Sequence, residues 1–313
     1  MLRIFVKCGR SMNKKFKKIC VLKGGISSER EVSLVSGSEM AKAAGALGYE
    51  VVEFDFTGDL LGLISFVNRE KPDCILNGLH GIGGEDGNIQ AVLNFLKIPY
   101  THSGVLASAI GMNKAISESI FQRNGIRVPK SALYSWKKFC EHPDFPTPFV
   151  IKPVDGGSSC GVYIIRDISE LGNIEWMHKD VYVSEYIPGL ELTIGVLDGH
   201  AMAVTNIVVN SGFYDYTNKY TDGKANHELP AKIPEEIYNE ALRSAEKMHK
   251  LIGGRGVTRS DFRYNTETNQ LFALEINTQP GMTPLSLVPE QAKLIGMSFE
   301  ELIERIIDTA RVD

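Results

Sequence analysis

A chain of 313 residues is long enough to bury a large hydrophobic core and to divide into two or three compact units. Its 43% hydrophobic and 23% charged residues are those of a folded globular protein, and a net charge of -4 with interspersed signs excludes the basic stripe of a nucleic-acid binder. No stretch has the unbroken apolar length of a membrane span, the opening residues lack a signal peptide's apolar core, and five scattered cysteines (Cys8, Cys20, Cys74, Cys140, Cys160) match neither a zinc site nor a disulfide framework; a cytoplasmic protein with reduced, mostly buried thiols is expected.

Residues 1–16 carry no predicted element, and the cluster Lys14, Lys15, Lys17 and Lys18 reads as a solvated terminal arm. Residues 17–25 read as a short buried strand ending in a glycine turn, and Ser28 followed by Glu31 offers a capping box to open the next helix. Strands are predicted at 51–56 and 73–81, then a helix carrying Ile89, Val92, Leu93 and Leu96. This alternation predicts a parallel, doubly wound α/β sheet within 17–103. The pattern over 104–125 is helical. Two short strands then bracket a glycine-serine loop within 148–167, and a strand at 181–187 meets a Pro-Gly break, so 104–188 reads as a small α+β unit. Within 189–313 a strand pattern spans 190–209 and a polar aromatic stretch spans 211–227. A helix covers 235–252, a hairpin over 257–277 turns near Asn269, and a closing helix opens with a second capping box, Ser298 and Glu301, placing Phe299, Leu302 and Ile306 on one face.

Residues two apart on a strand share a face, which groups Arg259 with Asp261 and Glu275 with Asn277. Paired in the hairpin, Asp261 and Glu275 can lie side by side, where like charges repel unless a cation sits between them. With the amide oxygen of Asn277 they form a hard donor set suited to Mg²⁺ that keeps places for water and phosphate. The wet face of any amphipathic hairpin would hold similar residues. The adjoining turn-rich segment 278–289 favours the magnesium-phosphate reading, because backbone N–H groups around Gly281 offer an oxyanion donor beside the metal ligands. In 152–161, glycines let backbone N–H groups approach phosphate oxygens while Lys152 supplies charge. Residues 157–161 also match the nucleophile-elbow spacing, but strand follows where an elbow requires helix, which rejects a serine hydrolase. Neither a P-loop nor a dinucleotide fingerprint is present, so nucleotide binding needs another architecture.

Six strings in collinear order, 24–34, 79–87, 151–161, 213–220, 258–262 and 274–289, resemble the D-alanine-D-alanine ligases of the ATP-grasp superfamily, from about Lys17 to the C-terminal end. The resemblance implies an ATP-grasp fold of three α/β or α+β domains (17–103, 104–188 and 189–313, after an extension at 1–16), with ATP bound between the second and third. It implies ATP-dependent ligation of two D-alanines through a D-alanyl phosphate, for peptidoglycan precursors, by a homodimer. By the same resemblance Asp261, Glu275 and Asn277 would hold two Mg²⁺ ions, or Mn²⁺. Lys114, Lys152, Ser159 and Lys219 would bind the ATP phosphates. Glu185, the backbone at Tyr186 and Ile187, and Glu191 would hold adenine and ribose. Glu29, hydrogen-bonded to Ser158 and Tyr220, would meet the first substrate's ammonium beside His80, whose other reading is a capping histidine at a strand end. Ser286 and the Leu287 N–H would take the second carboxylate, and Arg259 and the Gly281 N–H would stabilise the oxyanion. Phe213, Tyr214, Tyr216 and Tyr220 resemble a mobile loop that closes over the site, while His102, His200, His227 and His249 read as structural. Two positions depart from the family pattern: Leu285, where many relatives have histidine, and Arg263, where an apolar residue is common near the adenine pocket. A D-alanyl-D-lactate ligase is disfavoured by Tyr220, where such relatives carry phenylalanine. A catalytically silent ATP-grasp regulator is disfavoured because Arg259, Asp261, Glu275 and Asn277 are all present.

Overall fold

The computed structural model describes residues 14–157, 160–209, 225–283 and 285–313. Its strands form three sheets. In the first, β1 (Lys18–Gly24) lies between β2 (Glu50–Phe56) and β3 (Cys74–Asn77), all parallel, as the alternation predicts. Residues 19–22 of β1 are fully buried, and successive residues enter opposite cores. Ile19 and Val21 pack with Met40 and Ala44 of α1 (Arg30–Ala46). Cys20 and Leu22 pack with Leu63 and Val67 of α2 (Leu60–Glu70) and Ile89 and Leu93 of α3 (Asn88–Phe95). Period-two alternation on one strand thus binds helices to both faces of the sheet.

The start of α1 corrects the expected capping box. Glu29, not Ser28, stands at the N-cap, without a side-chain cap bond. Ser27 instead accepts the Glu29 N–H at 3.2 Å and donates to the His80 carbonyl at 2.7 Å, tying the loop to the end of the sheet. The basic arm is corrected too. Lys15 donates to the Ala310 carbonyl at 2.6 Å, and Lys14 bonds the Leu47 carbonyl and lies over the Tyr49 ring. Both cations sit at helix carboxyl ends, where the dipole favours them. Among the described cysteines, Cys20 and Cys74 are buried but Cys140 and Cys160 are exposed, so burial reaches only half of those expected. Burial pushes the Cys20 thiol up to about 12, which keeps it protonated.

The single predicted helix of 104–125 is broken in two. Asn113 is extended, with φ -97° and ψ 104°, and its Oδ1 accepts the Ile116 N–H at 3.0 Å. It therefore ends α4 (Val105–Met112) and caps α5 (Lys114–Arg123). The second sheet runs β4-β7-β5-β6, formed by β4 (Ser131–Ser135), β5 (Phe149–Lys152), β6 (Tyr163–Ile165) and β7 (Asp180–Glu185), all antiparallel. With α6 (Trp136–Glu141) it encloses its own core around Phe139, Phe149, Ile151 and Val183.

The third sheet runs β10-β9-β8-β11-β12. Its strands are β8 (Leu190–Leu197), β9 (His200–Val209), β10 (Ala225–Glu228), β11 (Val257–Asn265) and β12 (Gln270–Asn277). One face packs Leu192, Ile194, Phe262 and Ile276 on Ile237, Ala241 and Met248 of α7 (Glu235–Ile252). Phe121 of α5 joins that core, so helix residues ahead of the second sheet pack on the third. After α8 (Leu287–Leu294), α9 (Phe299–Asp308) opens with the expected capping box, Ser298 and Glu301, and sends Leu302, Ile303, Ile306 and Ile307 into the core under β1. Among the described residues no helix is long and apolar enough to cross a membrane.

Candidate active site

Along β11, Ser260, Phe262 and Tyr264 are buried while Arg259, Asp261 and Arg263 alternate with them on the opposite face. The hairpin register sets Asp261 opposite Glu275 and Arg259 opposite Asn277, the pairing read from periodicity. On the other side, Asp261 faces Thr193 and Arg263 faces Glu191 of β8. Beyond Asp261 the register slips: Phe262 pairs with Ala273, which leaves Leu274 as an extra residue. This bulge lets adjacent Leu274 and Glu275 both line one cleft, which a regular strand would forbid.

The facing carboxylates are flanked by cations. Arg259 grips Asp261 with two bonds, Nε to Oδ1 at 3.0 Å and Nη2 to Oδ2 at 2.7 Å, and Thr193 donates to Oδ1 at 2.5 Å. Lys114 Nζ lies 3.5 Å from Glu275 Oε2 and donates to the Gly156 carbonyl at 2.6 Å. The break at Asn113 makes this possible, since it starts α5 at Lys114 and lets the Lys114 N–H bond the Val154 carbonyl at 2.9 Å. Among the described residues no group of three or more His, Cys, Asp or Glu side chains is arranged to hold a metal. The candidate donors are two carboxylates and one amide oxygen. Asn277 Oδ1 accepts the Gln279 N–H at 2.7 Å and keeps a second lone pair, so the set fits a hard cation that brings further oxygen ligands with it.

The two larger cavities among the described residues open on this strand face. The smaller is walled by Glu29, His80, Arg259, Gly281, Ser286 and Leu287. Burial, opposed by a hydrogen bond to the Gln279 backbone and reinforced by the Arg259 charge, lowers His80 to about 4, so its ring is neutral at pH 7. Its Nε2 lies 3.3 Å from Ser36 Oγ. A Cβ on Gly281 would come within 3.1 Å of Ser286 Oγ, so the glycine leaves room beside that hydroxyl. Ser286 stands at the N-cap of α8 and Leu287 opens it, among the helix N–H groups that lack intrahelical acceptors.

The larger cavity, about 860 Å³, lies between the second and third sheets. Lys114, Lys152, Glu185, Tyr186, Ile187 and Glu191 line it. Asp261, Glu275 and Glu191 line both cavities, so the two candidate carboxylate donors stand where the two meet, while Asn277 lines the smaller one. Ser158, Ser159, Lys219, Tyr220 and the aromatic residues Phe213, Tyr214 and Tyr216 lie outside the described residues.

Three residues missed by the sequence reading support these walls. Glu85 is buried in the smaller cavity, its Oε2 without a hydrogen-bond partner among the described residues. Burial first, then the Glu29 charge, pushes its carboxyl well above the usual carboxylate range. Its place in string 79–87 was the available signal. Glu118 is 2% exposed, lies 3.6 Å from Lys152 Nζ and accepts the Tyr182 hydroxyl at 2.6 Å. The four-residue spacing from Lys114 to Glu118, one helical turn, could have revealed it. Gln279 accepts from Asn77 Nδ2 at 2.8 Å and donates to the Leu79 carbonyl, tying the end of β12 to the loop after β3.

The family model described as "D-ala D-ala ligase C-terminus" matches residues 107–308. A D-alanine-D-alanine ligase of Acidiphilium cryptum is 45% identical over 302 residues, covering 94% of this chain and 98% of that protein. The chain belongs to the D-alanine-D-alanine ligase family. The crystal structure of the Bacillus anthracis D-alanine-D-alanine ligase complexed with ATP aligns with a TM-score of 0.80 and 31% identity, covering 95% of this chain and 97% of that one. The VanG D-Ala:D-Ser ligase of Enterococcus faecalis aligns with a TM-score of 0.78 and 27% identity, covering 94% of this chain and 99% of that one. The fold is therefore the ATP-grasp fold of these ligases.

Proposed function

We propose that the chain joins two D-alanines to D-alanyl-D-alanine at the expense of ATP, serving peptidoglycan precursor synthesis in the cytoplasm as a homodimer. The observation that carries this reading is the shared wall: Asp261 and Glu275 border both cavities, so a phosphate end entering from one meets a carboxylate held in the other. The larger cavity takes ATP, with Lys114 and Lys152 on its phosphates and Glu185, the Tyr186 and Ile187 backbone and Glu191 on adenosine. Ser159 and Lys219 extend that set. Two Mg²⁺ ions held by Asp261, Glu275 and Asn277 would supply charge neutralisation at the phosphate oxygens. The chain divides the work among 17–103, 104–188 and 189–313.

The first D-alanine enters the smaller cavity with its ammonium toward Glu29, beside the buried Glu85, whose Oε2 has no hydrogen-bond partner among the described residues. Its carboxylate oxygen attacks the γ-phosphorus, ADP leaves, and D-alanyl phosphate forms. Neutral His80 sits beside this substrate without adding charge. The second D-alanine, its carboxylate on Ser286 and the Leu287 N–H, attacks the acyl carbon with its amine. The oxyanion of the tetrahedral intermediate meets Arg259 and the Gly281 N–H, and inorganic phosphate leaves as the amide forms. By the family resemblance Ser158 and Tyr220, outside the described residues, would be the partners of Glu29.

The test is phosphate release from Mg-ATP with D-alanine, L-alanine, or D-alanine plus D-lactate or D-serine, the product identified by mass. Stoichiometric ADP, phosphate and D-alanyl-D-alanine are expected with D-alanine alone. Glu275→Ala lowers turnover at least about 100-fold while the protein stays folded. A folded chain that binds ATP but turns over no D-alanine would overturn the reading.

A further inference from the structure

The guanidinium of Arg263 lies outside both the metal donor set and the smaller cavity. It is directed at the strap that leaves β7 of the second sheet and enters β8 of the third. Nε–H donates to the Ile187 carbonyl at 3.1 Å, an Nη2–H donates to the Gly189 carbonyl at 2.9 Å, and Nη1 lies 3.4 Å from Glu191 Oε2. Arg263 and Glu191 are also cross-strand partners, with 18% and 19% of their side chains exposed. The strap is pressed against β11 at the same place. Gly189 has φ +109°, and a Cβ there would fall 2.0 Å from the Tyr264 carbonyl. A planar fork of donors can satisfy two carbonyls and a carboxylate at once; a lysine ammonium on a flexible stem cannot hold that geometry.

We propose that Arg263 is a positioning residue for the nucleotide. It fixes the strap backbone and the direction of the Glu191 carboxylate, so that the base edge and the ribose hydroxyls of an incoming nucleoside triphosphate meet acceptors and donors already in place. This rests on the larger cavity being the ATP site. Preordering of this kind raises affinity by removing the ordering cost at the moment of binding. Because the carboxylate it holds is the ribose acceptor, selection of ribose over deoxyribose depends on Arg263 although Arg263 itself need not touch the sugar.

The experiment uses the full chain and the variants Arg263→Met, Arg263→Lys, Glu191→Gln and the double variant Glu191→Gln with Arg263→Met. Calorimetric Kd values are measured for ATP, 2′-deoxy-ATP and 3′-deoxy-ATP with Mg²⁺, beside KM and kcat with D-alanine and a thermal melt for folding. Arg263→Met is expected to weaken ATP roughly tenfold, with the larger share of the loss in KM, and to bring the ATP-to-deoxy-ATP preference toward unity. Arg263→Lys recovers only part of that preference, and the double variant loses no more of it than Glu191→Gln alone. ATP affinity unchanged in a folded Arg263→Met protein, or lowered with the ribose preference intact, overturns the proposal. A wild-type chain that fails to bind ATP overturns the underlying assignment of the cavity instead.

Discussion

Glu85 illustrates how a single side chain can set a pH dependence. A carboxyl whose folded pKa is raised binds more protons folded than unfolded, so its contribution to stability is complete below the unfolded value and is lost as pH rises through the folded one. His80 and His249 act in the opposite sense. Burial lowers each to about 4, so their contribution is present above the unfolded value and is lost as pH falls from about 6.5 toward 4. In Glu85→Gln the histidine effects cancel against wild type. The ligand-free variant is expected to match wild type in urea midpoint near pH 4.5 and to exceed it increasingly toward pH 8; equal midpoints throughout would show that Glu85 is not held protonated. None of this was readable from the sequence. A glutamate within a glycine-rich string gives no sign that tertiary packing will bury it against a second carboxylate.

Among the elements, legibility follows periodicity. The opposition of Asp261 to Glu275 could be read because strand residues alternate and the hairpin length fixes the pairing. The bulge at Leu274 could not, because a one-residue slip is decided by how the ladder packs and carries no compositional mark. The Asn113 break was hidden for a related reason. One asparagine both closes α4 and caps α5, and the apolar pattern continues across it. Of two capping boxes with the same spacing, only Ser298 with Glu301 forms; at Ser28 the loop's obligations to the His80 carbonyl prevail through Ser27. Ser298→Ala should therefore cost about 1 kcal/mol in urea denaturation, whereas Ser28→Ala should not cost a helix cap at all. Equal losses from the two would contradict the capping assignment.

At the scale of the whole molecule, buried side-chain bonds tie the first sheet to the third. Gln279 bridges Asn77 and Leu79 to the end of β12. Arg255, 6% exposed, pairs with Asp313 at 2.8 Å and donates to the His102 carbonyl at 2.6 Å. The second sheet meets its neighbours through Lys114, the Asn113–Asp155 bridge, the Arg263 strap and Glu118 of α5, which engages Lys152, Tyr182 and Ser131. Hydrogen exchange on the ligand-free chain should show β1, β11 and β12 protected to a common free energy and β5 and β6 opening at a lower one. ATP should raise the protection of β5 and β6 most. Uniform protection of all three sheets would contradict this expectation. The parallel first sheet was legible from strand-helix alternation. The packing of Phe121 and α9 across the boundaries between sheets was not, because an apolar residue does not declare which core it will join.

Gln279 also bears on how the chain comes into being. Its carboxamide reaches partners 202 and 200 positions earlier in the sequence, and the α9 side chains that complete the core beneath β1 come later still. During synthesis the ribosome therefore releases the whole first sheet long before the residues that finish its pocket exist. The smaller cavity is among the last features to be assembled. A ribosome that stalls or terminates before residue 279 leaves a polypeptide that has Glu29 and His80 but lacks Gly281, Ser286 and Leu287, which wall the same cavity.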